Sequence, residues 1–175
     1  MLGAIFIILF IGGLLLAYAS TKPSAFRVTR KAAIKAPAEK IFPLINDFAA
    51  WNQWSPYEKL DSAMDKNFSP NTVGKGAVYE WEGDNKAGAG QMEITDSVFP
   101  SRIEIDLDII KPLEAHNIIE FKFEAVGGST NVTWSMFGRR NLMTKFIGIF
   151  VNTDRIAGEQ FEEGLENLRA IVETK

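Results

Sequence analysis

From Met143 to Val172, the residues Met143, Ile147, Phe150, Asp154, Gly158, Phe161, Leu165, Leu168 and Val172 recur at intervals of three or four. At about 100° per residue, that spacing keeps them on one stripe of a helix. Glu159, Glu162, Glu163, Glu166 and Glu173 fall on the other side. The segment is therefore expected to be a long amphipathic helix, or two abutting helices, with one face in water. No neighbouring helix of comparable length is predicted to receive the apolar stripe, and strand after strand precedes it, so a sheet is the expected partner.

Those strands can be followed along the chain. Phe26 to Lys35 alternates loosely, with Phe26, Val28, Ala32 and Ile34 on one side, and reads as a first strand. Ala36-Pro37-Ala38-Glu39 starts a helix, because proline suits the first helical position and an early glutamate suits the first turn. Pro43 inside it removes a backbone hydrogen bond and predicts a kink or a split. A short helical or turn segment with Asp47, Phe48, Trp51 and Trp54 follows, closed by Ser55-Pro56. Period two then takes over, with Tyr79 and Trp81; Gly90, Met92 and Ile94; Ile103, Ile105, Leu107 and Ile109; Phe121, Phe123 and Ala125; and Val132, Trp134 and Met136 each on one face. Gly83 to Gly88 and Gly127-Gly128 supply hairpin turns. With a weaker strand near Met64 to Phe68, the expectation is about seven strands, hairpin-linked and therefore antiparallel. One face is apolar and the other charged, so the sheet should hold its apolar face around the terminal helix in an α+β grip.

The front of the chain differs. Leu2 to Ala19 has no charged residue. As a helix it would span roughly 27 Å, close to the ~30 Å hydrocarbon core of a bilayer. The expected organisation is a transmembrane anchor over residues 1–21, with 2–19 in the bilayer, a linker over 22–25 and one folded domain over 26–175. A competing reading is a cleaved signal peptide, since Ala17-Tyr18-Ala19 has the small-x-small form of a cleavage site. The run lacks Lys or Arg in front, while Lys22, Arg27, Arg30 and Lys31 follow it. Positive-inside bias then gives a single-pass membrane protein with its domain on the cytoplasmic side, the periplasmic or extracellular side being the alternative.

A chain that is 46% hydrophobic has material for a sizeable core. Its net charge of −3 gives no footprint for nucleic acid. With no cysteine and a single histidine, neither a disulfide framework nor a zinc site is expected. No cofactor is indicated, and oligomeric state is left open.

Two runs carry a resemblance. Ile34-Lys35-Ala36-Pro37-Ala38-Glu39-Lys40-Ile41-Phe42, with Asn46-Asp47-Phe48 and Trp51-Asn52-Gln53-Trp54-Ser55-Pro56, resembles the opening of the START-like helix-grip superfamily, the SRPBCC or polyketide cyclase/dehydrase group. Gly158 to Arg169 resembles its close. The resemblance covers about residues 26 to 173, and it implies a cavity between sheet and terminal helix. Members of the group include carriers of hydrophobic ligands, ring cyclases, quinone-binding proteins and regulators, and they share no catalytic motif.

The inward-facing residues agree with such a cavity. Tyr79, Trp81, Met92, Phe121 and Phe123 are bulky and adaptable, as are Trp134, Met136, Phe150 and Phe161. They are the candidate ligand-binding residues, because large apolar surfaces with few polar groups are the usual form of small-molecule sites. Gly90, Gly158 and Gly164 remove volume. A glycine inside a helix costs about 1 kcal/mol relative to alanine, so those at 158 and 164 serve either close approach of helix to sheet or room for a ligand.

Asp154 falls within the apolar stripe, where an unpaired carboxylate would be costly. It either belongs to a cap at Asn152-Thr153-Asp154, pairs with Arg139 or Arg140, or anchors a ligand at one end of the cavity. His116, opening a strand after Glu114-Ala115, is read as a surface or edge residue or as a general base, and no triad spacing surrounds it. Asp154 and His116 are the two candidate catalytic residues. Trp51 and Trp54 either line a pocket mouth or lock the small helices to the sheet. Glu104, Asp106 and Asp108 read as a solvated row rather than a metal site. Arg139, Arg140 and Lys145 beside Leu142, Met143, Phe146 and Ile147 read as a helix start or a membrane-touching lid. The leading functional expectation is a membrane-tethered binder or transporter of a hydrophobic small molecule such as a lipid, isoprenoid or aromatic metabolite. Its rivals are a cyclase/dehydrase-like enzyme using the same cavity, which would need two convergent ionisable groups such as Asp154 with His116 or Tyr79, and a structural or regulatory module with a filled core.

Overall fold

Each alternating segment is a strand in the computed structural model, which describes residues 2–174. The strands are β1 (Ala25–Ile34), β2 (Asp65–Phe68), β3 (Val78–Glu82), β4 (Ala89–Val98), β5 (Arg102–Lys111), β6 (Ala115–Val126) and β7 (Ser129–Arg139). They form a seven-stranded antiparallel sheet in the order β1-β7-β6-β5-β4-β3-β2. The turns are made by the residues that favour them. Gly88 takes φ 66° in the β3–β4 turn, where Asp84 Oδ1 accepts from the amides of Lys86 (2.8 Å) and Ala87 (3.1 Å). Gly127 and Gly128, with φ of 54° and 84°, reverse the chain between β6 and β7.

Among the described residues four α-helices accompany the sheet: α1 (Leu2–Ser20), α2 (Ala38–Asn46), α3 (Leu142–Ile147) and α4 (Thr153–Glu173). α2 passes through Pro43 without a break, against the expected split. Pro43 is on the exposed side, so the carbonyl that loses its partner one turn earlier can reach water. Two short 3₁₀ turns follow, at Phe48–Gln53 and Pro56–Lys59. The indole N–H of Trp51 donates to the Ile45 carbonyl and that of Trp54 to the Leu44 carbonyl, both at 2.9 Å. Both tryptophans are buried, and they lock these turns to the end of α2.

The C-terminal stripe divides at Gly148–Asn152. Asn141 caps α3, its Oδ1 accepting from the Thr144 amide (2.8 Å), and Asn152 caps α4 by accepting from the Arg155 amide (3.1 Å). α4 buries Ala157, Gly158, Phe161, Gly164, Leu165, Leu168 and Val172, and it lies mainly along β1, with α2 and the second 3₁₀ turn beside it. The front of the stripe does not join that core. Met143 and Phe150 are exposed, and α3 packs against α1 instead.

The transmembrane anchor expected over residues 1–21 is not supported, and with it goes the single-pass membrane location. Among the described residues no helix is long and apolar enough to cross a membrane. The 19 residues of α1 rise about 28 Å, and part of that length is taken up by protein. Ala19 is buried, α3 packs against the helix, and the last turn bonds back on itself, with the hydroxyls of Ser20 and Thr21 donating to the carbonyls of Ala17 and Tyr18 (both 2.7 Å). The apolar length left for hydrocarbon falls short of the ~30 Å core.

Candidate functional site

The inner face of the sheet is covered unevenly. Around Phe121 and Phe123 of β6 the space is filled: Phe121 touches Trp51, Trp54 and Trp134, and Phe42 packs on Phe123 (5.3 Å between ring centres). Over β3, β4 and β5 a cavity of about 280 Å³ remains, near the lower end of the ~300–1,000 Å³ usual for ligand pockets. Tyr79 and Trp81 of β3, Met92 of β4, Leu107 and Ile109 of β5, Ile119 of β6, Trp134 and Met136 of β7, and Phe161 of α4 line it. The 3₁₀ turns contribute Trp51, Tyr57 and Glu58, with Leu60 and Met64 following, and Lys86 and Lys111 are exposed at its rim.

Of the ten ligand-binding candidates, Tyr79, Trp81, Met92, Trp134, Met136 and Phe161 border this cavity. The other four lie elsewhere. Phe121 and Phe123 belong to the filled half, and Phe150 is 67% exposed beside Phe146. Asp154 meets Arg30 rather than Arg139 or Arg140, at 3.3 Å to Nη2, while Arg30 Nε donates to Glu162 (2.6 Å). These bonds, first to Asp154 and then to Glu162, raise the guanidinium pKa further. Asp154 is thus part of a surface clamp between α4 and β1, outside the cavity.

Three glycines that looked like removed volume each make room for a named side chain. A Cβ at Gly158 would fall 1.9 Å from Arg30 Nη2, one at Gly90 2.5 Å from Trp81 Cη2, and one at Gly164 2.8 Å from Trp134 Cζ3. The close approach they allow is between parts of the protein. Trp134 consequently lies flat on Phe161, ring centres 4.1 Å apart and planes 9° apart.

The polar groups of the lining fall into two sets. Glu58, with a side chain only 7% exposed, is neutralised by Lys66 and accepts from the Tyr79 hydroxyl (2.8 Å). Burial, followed by the Glu58 charge, holds the Tyr79 phenol well above its usual range. The Trp81 indole N–H donates to the Ala87 carbonyl (3.0 Å), and Lys111 pairs with Glu82 (2.6 Å). In the second set, the buried indole N–H of Trp134 has no acceptor among the described residues, and the Tyr57 phenol belongs to the lining. Burial pushes the Tyr57 phenol up, so it stays a neutral O–H.

Tyr57, Glu58, Leu60, Met64, Leu107 and Ile109 were missed as site residues. Ser55-Pro56 ends one 3₁₀ turn and also begins another, and the preference of proline for a first helical position was the signal that could have found Tyr57 and Glu58. The structure does not assemble Asp154, His116 and Tyr79. His116 sits outside the cavity with its Nδ1 2.7 Å from Asp108 Oδ1 on the outer face, both side chains more than half exposed, and this hydrogen bond raises the imidazole pKa. Glu104 lies 3.6 Å from Arg102, and among the described residues no group of three or more acids or histidines is placed to hold a metal.

A sheet that grips a C-terminal helix and leaves an apolar cavity beside it defines the helix-grip class. Residues 25–173 match the family described as "Polyketide cyclase / dehydrase and lipid transport", and the chain belongs to that family. No curated protein matches the chain. Among solved structures, protein CV1439 from Chromobacterium violaceum is similar at 15% identity and a TM-score of 0.60, covering 87% of this chain and 99% of its own. An uncharacterised protein from Rhizobium leguminosarum is similar at 20% identity and TM-score 0.58 (87% and 98% covered), and Ara h 8.0201 at 13% and 0.57 (86% and 99%). At these identities the likeness is one of fold.

Proposed function

We propose that this chain binds a hydrophobic small molecule in the cavity between β3–β5, the second 3₁₀ turn and Phe161, and holds it without chemical turnover. The observation that carries the reading is the lining itself: aromatic, aliphatic and thioether side chains surround a volume of about 280 Å³. Its buried carboxylate, Glu58, is already committed to Lys66 and Tyr79. Burial of apolar ligand surface supplies roughly 25 cal/mol per Å², and a preformed pocket avoids the cost of opening one. The family description, which names lipid transport beside cyclase and dehydrase activity, supports the same class of ligand. An acid-base enzyme would need ionisable groups free to act on the occupant, whereas Glu58 is occupied and Lys86 and Lys111 are at the exposed rim.

The test is a titration with the neutral apolar fluorophore N-phenyl-1-naphthylamine. The expected result is saturable, one-to-one binding that Leu107→Trp and Met136→Trp each abolish by filling the cavity, with folding checked by circular dichroism. Binding unaffected by either variant would place the ligand elsewhere and refute the reading.

A further inference from the structure

The size of the cavity and the stiffness of its wall together define the kind of apolar molecule that fits. A dry protein cavity of about 150 Å³ takes one benzene. This one holds about 280 Å³, nearly twice as much, so on the same scale it encloses about eleven carbon atoms. That is a two-ring molecule. A palmitoyl chain is too long to be enclosed, and a lipid with two such chains is far too large. Six of the side chains that border the space are aromatic: Trp51, Tyr57, Tyr79, Trp81, Trp134 and Phe161. Most of them are pinned. Tyr79 lies flat on Phe68, with ring centres 4.8 Å and planes 9° apart, and its hydroxyl is bonded to Glu58. Trp81 is drawn against β4, where Gly90 leaves it room, and the Ala87 carbonyl holds its indole N–H. Trp134 is stacked on Phe161 beside Gly164, and Trp51 is tied to Ile45. Rings fixed in this way do not reshape themselves around a flexible guest. The adaptable part of the wall is Met64, Met92 and Met136, and thioethers make favourable contacts with aromatic rings.

We infer that the cavity takes a rigid two-ring aromatic molecule in preference to saturated compounds of the same skeleton and to long acyl chains. An aromatic guest gains from an aromatic wall beyond the area it buries, by about two- to tenfold in affinity. A rigid guest also has no internal rotations to lose, whereas an acyl chain must freeze one torsion after another against walls that do not yield. The naphthyl group of N-phenyl-1-naphthylamine is of the enclosed size, which leaves its phenyl ring at the rim. This inference rests on the proposed binding function and adds to it the chemical class of the ligand.

Three competitors separate the two claims. Biphenyl, bicyclohexyl and palmitate are each titrated against N-phenyl-1-naphthylamine bound to the full-length protein. Biphenyl and bicyclohexyl share a carbon skeleton, and dividing each affinity by the compound's partition from water into hexadecane removes their difference in hydrophobicity. The expected result is a remaining preference of about two- to tenfold for biphenyl. Palmitate, at the concentration where biphenyl displaces all of the fluorophore, is expected to displace almost none. The methionine methyl signals in an NMR spectrum give a second reading that needs no variant. Bound biphenyl should move those of Met92 and Met136, which border the cavity, through its ring current, and bicyclohexyl should not shift them in the same way. No preference after the partition correction, or palmitate displacing the fluorophore as well as biphenyl does, overturns the inference while leaving apolar binding intact. Biphenyl bound with both methyl signals unmoved, or failure of the fluorophore and all three compounds to bind, overturns the proposed function as well.

Discussion

The two halves of the sheet's inner face are built from the same kinds of residue and end in different states. Around Phe121 and Phe123 of β6, Phe42, Trp51 and Trp54 cover the rings and the space is closed. Over β3, β4 and β5, Tyr79, Trp81 and Met92 point the same way from strands of the same pattern, yet they border a void. What differs is the cover. α2 and α4 lie on the first half, whereas the second is roofed by the short turn at Pro56–Lys59 and the segment after it. An inward bulky residue is thus core or lining according to what packs over it, a property of the opposite layer and not of its own strand.

The largest expected effect is on the closed half. Phe121→Ala should destabilise the fold by about 3–5 kcal/mol, because it removes a fully buried ring packed against three tryptophans. Met92→Ala, bordering the void, should cost less than half as much. Urea denaturation measures both, and equal losses would break the distinction between the halves. Gly164→Ala comes next. Its Cβ would meet Trp134 at 2.8 Å, Pro56 at 3.2 Å and Trp54 at 3.4 Å, all rigid neighbours. Net destabilisation of about 1–2 kcal/mol is expected, overpacking outweighing the gain in helix propensity, together with weaker binding of the apolar fluorophore as Trp134 tilts.

Gly158→Ala should have a smaller effect although its clash is closer on paper. The obstacle is the end of the Arg30 side chain, which can swing away and exchange an ion-pair clamp with two exposed carboxylates for about 1 kcal/mol of helix propensity. Thermal denaturation should find the two states of residue 158 within about 0.5 kcal/mol of each other. The smallest effect belongs to His116. Its pKa is raised by Asp108, so the pair contributes stability that is fully present below the unfolded histidine value near 6.5 and is lost as pH rises through the folded value. Exposure and salt screening make that contribution slight. An NMR titration should show the His116 midpoint falling in Asp108→Asn, and an unchanged midpoint would remove the pair from the account.

Local pattern carried the strands, because period two and glycine turns are properties of short segments. The Gly83–Gly88 turn and the alternation from Ile103 to Ile109 are legible for that reason. What could not be read was contact between distant segments. The stripe from Met143 to Asp154 continues the spacing of α4 but is separated from it at Gly148–Asn152, and α1 takes up α3. Asp154 seemed stranded in an apolar row because its partner, Arg30, is 124 residues away. Composition made Leu2 to Ala19 look like a membrane span, whereas the usable apolar length depends on what the end of that helix touches. Five site candidates reach the cavity from the inner face of the sheet and the sixth, Phe161, from α4, whereas Tyr57 escaped notice because a four-residue turn leaves almost no periodic signal.

Native mass spectrometry after incubating the protein with N-phenyl-1-naphthylamine asks whether the uncovered half of the inner face is a binding cavity. One bound molecule per wild-type chain and none on folded Leu107→Trp is the expected outcome. Equal occupancy of the two proteins, or an empty wild type at saturating ligand, would contradict it.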